Sequence, residues 1–249
     1  MKGKNFFLLA AVLFSVSLFE AFGQTTSSYL HLVYKIQDLR YSLPYEAHAY
    51  LTADRALFTL RRPARTYKAE LPEFPNLEVD EPFNAFDVCV NYLDKKVTYR
   101  RKFKDSSAIY AVEPVLELRW QFTGKQKEIL GYPCQEAVLT VQEVARHPLL
   151  EYEQRKIRVV DYHFWYTTAI PARDGYLFYT GLPGVVLQVV ISSSRGEHVL
   201  VEAQKVEKAN GYVLSCDSLQ EGEAVESIKE AHYWEFYSRY EKEKRKRKK

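Results

Sequence analysis

Segments in which apolar and polar residues alternate constrain the fold of this chain more than any other feature of its sequence. In YLHLVYKIQ (residues 29–37) every second residue is apolar, and FDVCVNY (residues 86–92) repeats the pattern. A period of two residues places the apolar side chains on one face of a β-strand, whereas an α-helix requires a period near 3.6. The 19 tyrosines and 14 phenylalanines also favour sheet. The sequence therefore predicts a mainly β protein.

Turn residues divide the chain into about nine or ten strands arranged as an antiparallel meander. Hairpin turns are expected at Asp54-Arg55 and at Asp94-Lys95. Further strands are expected at residues 156–168, 185–191 and 197–207, where β-branched and aromatic residues dominate. The proline-rich segment 63–83 is interpreted as a long loop, because proline cannot donate to a central strand.

Two other segments modify this pattern. Residues 118–145 are expected to form two strands around a connector at residues 123–127, with a bulge at residues 131–133. After Ser218 the spacing of apolar residues becomes helical, and Ser218 with Glu221 has the spacing of a capping box. We therefore expect the meander to be followed by one C-terminal α-helix within the same domain.

The N-terminus has the features of a secretory signal peptide. Lys2 and Lys4 precede an apolar run at residues 6–19, and AFG (residues 21–23) supplies small residues before a cleavage point. The apolar run is shorter than the roughly 20 residues of a bilayer span. The sequence thus predicts a signal peptide at residues 1–23, a single β-rich domain with its helix at residues 24–240, and a basic tail at residues 241–249. No cysteine adjoins the cleavage point, so we expect an exported periplasmic or extracellular protein that is not a lipoprotein.

Cysteine spacing adds one constraint. The chain has three cysteines, Cys89, Cys134 and Cys216, and none has Cys-x-x-Cys spacing. An oxidising compartment permits one disulfide between two of them, and the sequence leaves the pairing open. A redox site or a zinc site has little support from these spacings.

The stretch YTGLPGVVLQVV (residues 179–190) concentrates two glycines and a proline before an aliphatic run. A phosphate-binding loop would lead into a helix, and a nucleophile elbow would carry a Ser, Cys or Asp at its centre. Neither applies here, so the stretch is interpreted as a β-turn before a strand. Pro183 would fix φ at the second turn position, Gly184 would supply a positive φ at the third, and Gly181 would avoid a Cβ clash.

Two longer blocks carry a resemblance to a known family. LRWQFTGKQKEILGYPCQEA (residues 118–137) resembles a W…K-x-I-x-G-Y-x-C-x-x-A block, and FWYTTAIPARDGYLFYTGLPGVVLQVV (residues 164–190) resembles a W-Y-T-x-x-I-P…G-L-P-G-L-I-L block. In this order they resemble the GLPGLI family, exported proteins of Gram-negative bacteria of unknown function. The pattern is also similar to LolA-type half-barrel proteins. That likeness implies a single antiparallel, strongly curved, half-barrel-like sheet around an apolar cavity, with the C-terminal helix as a lid.

Aromatic residues are the candidate ligand-binding or partner-binding surface. Buried Tyr and Trp offer apolar area with a polar tip. In a strand at residues 162–166, Tyr162, Phe164 and Tyr166 would face one way, and His163 and Trp165 the other. The candidate surface consists of Trp120, Tyr162, Phe164, Trp165, Tyr166, Tyr176, Phe178 and Trp234.

Catalytic and metal-binding motifs are absent from the sequence. The six histidines have neither H-x-H nor H-E-x-x-H spacing, and no local signature marks a nucleophile with its base. We therefore expect no metal, no cofactor and no enzymatic activity.

These observations favour a non-enzymatic binding module that holds an apolar ligand or lipid in a curved sheet. The alternative is a protein–protein adaptor at the outer membrane. The basic tail, with Arg245, Lys246, Arg247, Lys248 and Lys249, is expected to meet anionic surfaces. Export argues against a nucleic-acid partner.

Overall fold

The computed structural model describes residues 27–38, 44–62, 65–68, 78–81, 84–102, 106–144, 157–193, 196–211 and 215–226. These segments form fourteen strands and one turn of 3-10 helix at Cys216–Leu219. The strands are β1 (Ser27–Asp38), β2 (Tyr45–Leu51), β3 (Arg55–Arg62), β4 (Arg65–Lys68), β5 (Glu78–Glu81), β6 (Asn84–Asn91), β7 (Lys96–Lys102), β8 (Ala108–Pro114), β9 (Gln121–Ile129), β10 (Tyr132–Val144), β11 (Ile157–Thr167), β12 (Val185–Ser193), β13 (Gly196–Gly211) and β14 (Glu223–Ala224).

Twelve of these strands form one sheet, in the order β14-β8-β7-β6-β3-β2-β1-β13-β12-β11-β10-β9. The sheet consists of two meanders in chain order, an N-terminal one from β1 to β8 and a C-terminal one from β9 to β13. They are joined where β1 pairs with β13 in antiparallel register, with Leu32 opposite Val206 and Ile36 opposite Val201. This long-range pairing places the first strand of the N-terminal meander beside the last strand of the C-terminal meander, in the middle of the sheet.

The predicted fold class is right in being mainly β and wrong in its architecture. The sheet is open, with β9 and β14 at its edges, and it is mixed, because β14 runs parallel to β8. The described part of the chain contains no α-helix. Residues 218–226, where the helix was expected to begin, instead complete the 3-10 turn and form β14. The remainder of the predicted helix with Trp234, the signal peptide and the basic tail lie outside the described residues.

Tertiary contacts explain why residues from Ser218 onward do not form the predicted helix. Cys216 forms a disulfide with Cys89 on β6, and Leu219 is fully buried against the same region. The backbone N–H of Val225 then donates to the carbonyl of Tyr110 on β8 at 2.9 Å. A covalent bond and edge-strand pairing thus fix these residues against the sheet, and they outweigh a weak local helical preference.

A buried ion-pair network fastens the same segment to the N-terminal meander. The Arg100 guanidinium donates to Asp87 Oδ2 through Nε at 3.2 Å and Nη2 at 2.9 Å, and Arg61 donates to Asp87 Oδ1 at 2.7 Å. Arg100 Nη1 also donates to the carbonyl of Ser218 at 3.0 Å. Asp87 is 1% exposed and Arg100 8% exposed. The C-terminal segment therefore provides a hydrogen-bond acceptor for a guanidinium that would otherwise be incompletely paired.

The main core lies on one face of the sheet, here called the inner face, which carries Leu32, Tyr34, Phe58 and Phe164. The connection between β11 and β12, residues 168–184, packs on it. From that connection the Tyr176 ring contacts Phe58 at a centroid distance of 5.3 Å and Phe164 at 6.2 Å. The Tyr34 hydroxyl donates to the carbonyl of Val186 at 2.6 Å. The connection thus links the two meanders across their shared inner face.

Several local predictions are confirmed and others are wrong. The hairpins β2–β3 and β6–β7 and the strands β11, β12 and β13 are present where expected. The predicted loop at 63–83 instead contains the two-stranded sheet of β4 and β5. The expected connector at residues 123–127 is part of β9. The hairpin turn lies at Leu130-Gly131, where both residues have positive φ, as a type I′ turn requires.

The two glycines of the GLPG turn have roles that differ from the predicted ones. Gly181 has the positive φ, +93°, whereas Gly184 does not. Gly184 is required because a Cβ atom there would lie 2.1 Å from the carbonyl oxygen of Thr167. The prediction of a positive φ at Gly184 is therefore wrong, and close backbone approach explains that glycine.

Within the described segments, no helix has both the length and the apolar character to cross a bilayer.

Candidate functional site

Most of the predicted aromatic surface is packed into the inner face. Phe164 is fully buried, and Trp120 meets it edge to face at 4.9 Å. The ring centroids of Tyr162 and Phe164 are 6.4 Å apart, and those of Phe178 and Tyr99 are 5.7 Å apart. Two further members, Tyr166 and Tyr176, are 3% and 6% exposed. These side chains fill the inner face with one another and do not present a flat surface.

The GLPG turn completes this packing. The Trp120 Nε1–H donates to the carbonyl of Thr180 at 3.0 Å, and a Cβ atom on Gly181 would lie 3.4 Å from that nitrogen. Leu182 is buried, whereas Pro183 is exposed. The turn thus places one leucine in the core and carries the chain to the start of β12.

Asp174 holds the turn in place through three hydrogen bonds. Its backbone N–H donates to Gly184 and its carbonyl accepts from Val186, at 2.9 and 2.8 Å. Its carboxyl Oδ1 accepts from the N–H of Leu182 at 3.2 Å. The carboxyl is 2% exposed, and burial raises its pKa to about 6, although the phenol of Tyr92 opposes this shift. Burial, and then the charge of Asp174, raise the pKa of Tyr92 in turn.

Trp165 differs from the other candidates, because it lies on the opposite face of the sheet, here called the outer face. The Lys127 ammonium lies 3.9 Å from the centroid of the Trp165 ring. A cation at this distance over a tryptophan face is attracted by the ring quadrupole. The predicted separation of Trp165 and His163 from Tyr162, Phe164 and Tyr166 is confirmed. Glu136 lies opposite Trp165 in the β10–β11 register and binds His163, whereas Phe164 and Tyr166 belong to the inner core.

A chain of hydrogen bonds extends from Lys127 across two more strands. Lys127 Nζ donates to Gln188 Oε1 on β12. Gln188 Nε2 donates to Glu202 Oε2 on β13 at 2.6 Å, and Gln204 Nε2 approaches Glu202 Oε1 at 3.4 Å. Burial lowers the pKa of Lys127, and the carboxylate of Glu202 partly offsets this effect. The result is a row in which donors and acceptors alternate along the outer face.

An open cleft of about 320 Å³ lies along this row. Its walls are residues 127–130, from the tip of the β9–β10 hairpin, together with Gln188 and residues 202–204. Ile129 and Leu130 supply apolar surface, and Leu130 is 47% exposed. We refer to this feature as the outer cleft. It brings charged, amide and apolar groups together in one open concave site.

A second polar cluster on the outer face holds His163. The buried Glu136 carboxylate accepts from His163 Nδ1 at 2.9 Å and from the Thr123 hydroxyl at 2.6 Å, and Lys125 Nζ lies 3.2 Å away. Burial acts to raise the pKa of Glu136, but the hydrogen bonds from Thr123, His163 and Lys125 outweigh it and the pKa is lowered. Glu136 therefore orients His163 and stays ionised.

This cluster lacks the alignment of a hydrolytic site. A nucleophilic hydroxyl must hydrogen-bond to the base that activates it. The Thr123 hydroxyl instead donates to Glu136, the same carboxylate that holds His163. The arrangement orders a polar surface beside Trp165, and no described hydroxyl is paired with His163.

The sequence reasoning missed the residues that form the outer cleft. Lys127 lay in a presumed connector, and Glu202 looked like an ordinary polar residue of a half-buried strand. Gln188 gave a usable signal, because it interrupts the aliphatic run VVLQVV (residues 185–190) with a hydrogen-bonding side chain. A polar residue within a buried strand needs partners, and these partners come from β9 and β13.

Of the three cysteines, Cys89 and Cys216 form the disulfide, and Cys134 is a buried free thiol whose Sγ lies 3.4 Å from the carbonyl of Tyr132. Trp234 and the five basic residues of the tail lie outside the described residues.

Comparison with known proteins gives one family match. The model of a family described as "Protein of unknown function (Porph_ging)" matches residues 120–188. This part runs from Trp120 to Gln188 and contains Lys127, Glu136 and the GLPG turn. No curated protein matches the chain. Over this part of its length the chain therefore resembles an uncharacterised family.

Solved structures share the fold at low sequence identity. Two structures of PNGF-II, in space groups C2 and P21, align with TM-scores of 0.53 and 0.52 at 16% and 15% identity. The alignments cover 84% and 83% of this chain and 33% of PNGF-II, so the chain spans about a third of the length of that protein. LprF from Mycobacterium bovis aligns over 77% of this chain and 89% of its own, at 14% identity and a TM-score of 0.30, too low to indicate a common fold. The chain is thus a mainly β protein with the sheet architecture of part of PNGF-II.

Proposed function

We propose that this protein is a non-enzymatic binding module whose outer cleft holds a small hydroxyl-rich ligand of the carbohydrate class. The observation that carries the proposal is the row Lys127, Gln188 and Glu202, in which one concave site alternates donors and acceptors. A hydroxyl group both donates and accepts a hydrogen bond. One ligand hydroxyl can therefore accept from Lys127 or Gln188 and donate to Gln188 or Glu202 in place of the bonds between these side chains. Hydrogen bonds to the charged ends of this row are the stronger kind.

The apolar part of the outer cleft fits the same class of ligand. Ile129 and Leu130 line the cleft beside the polar row. A carbohydrate presents C–H surface between its hydroxyl groups, and that surface gains free energy when aliphatic side chains remove it from water. A purely apolar ligand would remove Lys127 and Glu202 from water and leave each charge with little beyond its hydrogen bond to Gln188, which is costly.

This proposal moves the ligand away from the aromatic face that the sequence favoured. The rings of Phe164, Tyr176 and Tyr179 contact one another on the inner face at centroid distances between 5.2 and 6.2 Å. A lipid bound there would have to displace the connection at residues 168–184, with the buried Leu182 and the Asp174 clasp. Burial of these side chains stabilises the closed arrangement by several kilocalories per mole at roughly 25 cal/mol per Å².

Binding is preferred over catalysis because the polar groups of the outer face are committed to one another. Glu136 accepts three hydrogen-bonding groups, and Gln188 uses both ends of its amide. A general base must keep a lone pair directed at a reacting atom. A ligand hydroxyl can take the place of one partner in each of these hydrogen bonds. The outer cleft is therefore better suited to binding a ligand than to catalysing a reaction.

A screen of neutral, acidic and amino sugars against the purified chain tests this proposal. Binding of a hit should weaken by about tenfold or more in Gln188→Leu, since loss of a hydrogen bond to a charged partner costs about 1.5–3 kcal/mol. Thr140→Val is the matched control, because its exposed hydroxyl pairs with Asp161 on the same face outside the cleft. Equal affinity in wild type and Gln188→Leu, or no sugar bound by the wild type, would contradict the proposal.

A second candidate is a protein–protein adaptor at the outer membrane. It is favoured by β9, an edge strand whose residues 121–126 are all exposed and include Phe122 at 57%. An edge strand offers backbone groups to which a partner strand can add. A photo-crosslinker introduced at Gln126 distinguishes the candidates. Capture of one defined envelope protein, with no sugar binding, would favour the adaptor.

We further propose that the chain is exported through the signal peptide at residues 1–23 and is a member of the GLPGLI family. The similarity of residues 120–188 to an uncharacterised family supports the second part, because the GLPG turn lies within that range. The disulfide between Cys89 and Cys216 supports the first, since such bonds persist in oxidising compartments. An intact mass that begins at Gln24 would test processing, and a chain that retains residues 1–23 would count against it.

A further inference from the structure

Two histidines on neighbouring strands face each other on the outer face of the N-terminal meander. His31 on β1 lies opposite Tyr50 and His48 on β2 lies opposite Val33, so the histidines occupy diagonal positions. Nε2 of His31 is 3.1 Å from Nδ1 of His48, and the two ring planes differ by 18°. Two imidazole nitrogens from different strands therefore meet at one point.

Neighbouring residues orient the first of these rings. Glu207 on β13 accepts a hydrogen bond from Nδ1 of His31 at 3.1 Å. This bond places the His31 proton on Nδ1 and leaves a lone pair on Nε2, the nitrogen that faces His48. The Tyr50 ring stacks on His31 with a centroid distance of 4.7 Å and an interplanar angle of 1°. A carboxylate that fixes the tautomer of a histidine is the usual support behind a metal-ligating imidazole.

We propose that His31 and His48 together bind a divalent transition-metal ion such as Cu²⁺ or Zn²⁺. Two imidazole nitrogens that ligate one tetrahedral ion with bonds of 2.0–2.1 Å lie about 3.3 Å apart. The observed separation of 3.1 Å differs from this value by only a few tenths of an ångström. Imidazole suits zinc and copper, and copper binds most strongly among the divalent first-row metals.

Binding requires one rearrangement of each ring. The ring centroids are 5.4 Å apart, so the two nitrogens now point at one another, and both rings must tilt before their lone pairs converge on one ion. Both side chains are half-buried, which leaves room for rotation toward solvent. His48 now donates from Nδ1 to His31, and on binding its proton would move to Nε2 by exchange with water. No charge on the protein changes in this step.

The site would have two protein ligands. Within the described part of the chain, no group of three or more His, Cys, Asp or Glu side chains is arranged to hold a metal ion. Water would complete the coordination, as at other open metal sites. Sequence spacing gave no hint of this pair, because diagonal cross-strand neighbours have no fixed separation in the chain.

Calorimetric titration of the purified, untagged chain with Cu²⁺ tests the proposal. We expect binding that weakens by about tenfold or more in both His31→Gln and His48→Gln, and by roughly tenfold in Glu207→Gln, which removes the orienting carboxylate. His163→Gln is the matched control, since Glu136 holds that histidine at 2.9 Å but pairs it with no second imidazole. Its affinity should equal that of the wild type.

Electron paramagnetic resonance of the Cu²⁺-bound wild type gives a readout that needs no variant. Hyperfine coupling to two imidazole nitrogens is the expected result. Coupling to one nitrogen, or unchanged affinity in either His31→Gln or His48→Gln, would overturn the two-histidine site, as would the absence of Cu²⁺ binding. The site lies on β1 and β2, away from the outer cleft, so its failure would leave the sugar-binding proposal intact.

Discussion

Cys89 on β6 and Cys216 at the start of the 3-10 turn form a disulfide that joins positions 127 residues apart in sequence. The bond fastens the end of the C-terminal meander to the outer face of the N-terminal one. Its loop spans most of the domain, so it restricts the unfolded chain strongly.

The double variant Cys89→Ser with Cys216→Ser should unfold more easily than the wild type. In the chain-entropy account, a loop of this length contributes about 4–5 kcal/mol to the free energy of unfolding. Guanidinium denaturation under oxidising conditions measures the difference. Cys134→Ser, at the buried free thiol, is the companion variant and should retain the disulfide. Three titratable thiols in the unfolded, oxidised wild type would show that the bond is absent.

Asp87→Asn should destabilise the fold through its buried partner. Asp87 accepts from both Arg61 and Arg100, and Arg100 is only 8% exposed. Removing the Asp87 charge leaves Arg100 with only the exposed Glu221 carboxylate, 3.5 Å from Nη1, among the described residues, and breaking a buried pair in this way costs about 3–5 kcal/mol. Urea denaturation at neutral pH checks this value. Asp94→Asn is a suitable control, because Asp94 is exposed and its side chain bonds only to Asn91 among the described residues. Equal losses in both variants would refute the role given to Asp87.

Two substitutions within the GLPG turn should lower the stability by different amounts, because they act through different mechanisms. Gly184→Ala places a Cβ atom 2.1 Å from the Thr167 carbonyl oxygen, so β11 and the turn must move apart, at a cost of about 1–3 kcal/mol or more. Pro183→Ala affects an exposed residue and should cost about 0.4–1 kcal/mol by freeing the unfolded chain. Thermal unfolding compares the two. The explanation by close approach fails if Gly184→Ala melts at the same temperature as Pro183→Ala.

Asp174 should make stability depend on pH in a defined direction. Burial raises the pKa of its carboxyl from 3.8 to about 6, so the folded state binds the proton more tightly than the unfolded state. The stabilising effect of the proton is therefore complete below about pH 4 and is lost as the pH rises to 6, a change of about 3 kcal/mol. Asp174→Asn stays uncharged and can keep the acceptor for Leu182.

The free energy of unfolding of Asp174→Asn should thus exceed that of the wild type at pH 8, and the difference should shrink below pH 5. Chemical denaturation across this range measures it. Tyr92→Phe removes a phenol that lowers the pKa of Asp174, so its stability should begin to fall near the same pH but keep falling to a higher pH than that of the wild type. A difference between Asp174→Asn and wild type that is constant with pH would contradict an elevated pKa.

Local patterns predicted the strands well but not the arrangement of the sheet. Alternation correctly assigned Tyr162 and Phe164 to one face and Trp165 to the other, because side-chain direction in a strand follows sequence parity. The pairing of β1 with β13 joins residues more than a hundred positions apart, and no local pattern encodes it. The helix expected at Ser218 failed for a similar reason, since a distant cysteine and a distant strand edge decide the conformation there.

The outer cleft was hidden from sequence reasoning because its parts lie on different strands. Lys127, Gln188 and Glu202 each look like an ordinary polar residue, and only the assembly of β9, β12 and β13 into one sheet brings them together. The two glycines of the GLPG turn show a similar limit. Their presence predicted a turn, but which glycine needs a positive φ and which needs space depends on Thr167, a residue of another strand.

The central claim is that ligand binds in the outer cleft and not on the inner aromatic face. Amide chemical shifts of the isotope-labelled chain, titrated with the tightest sugar from the screen, test it most directly. The account predicts that the largest shifts cluster at residues 127–130, Gln188 and residues 202–204. Shifts centred instead on Phe164, Tyr176 and Tyr179 would place the ligand on the inner face and contradict the account.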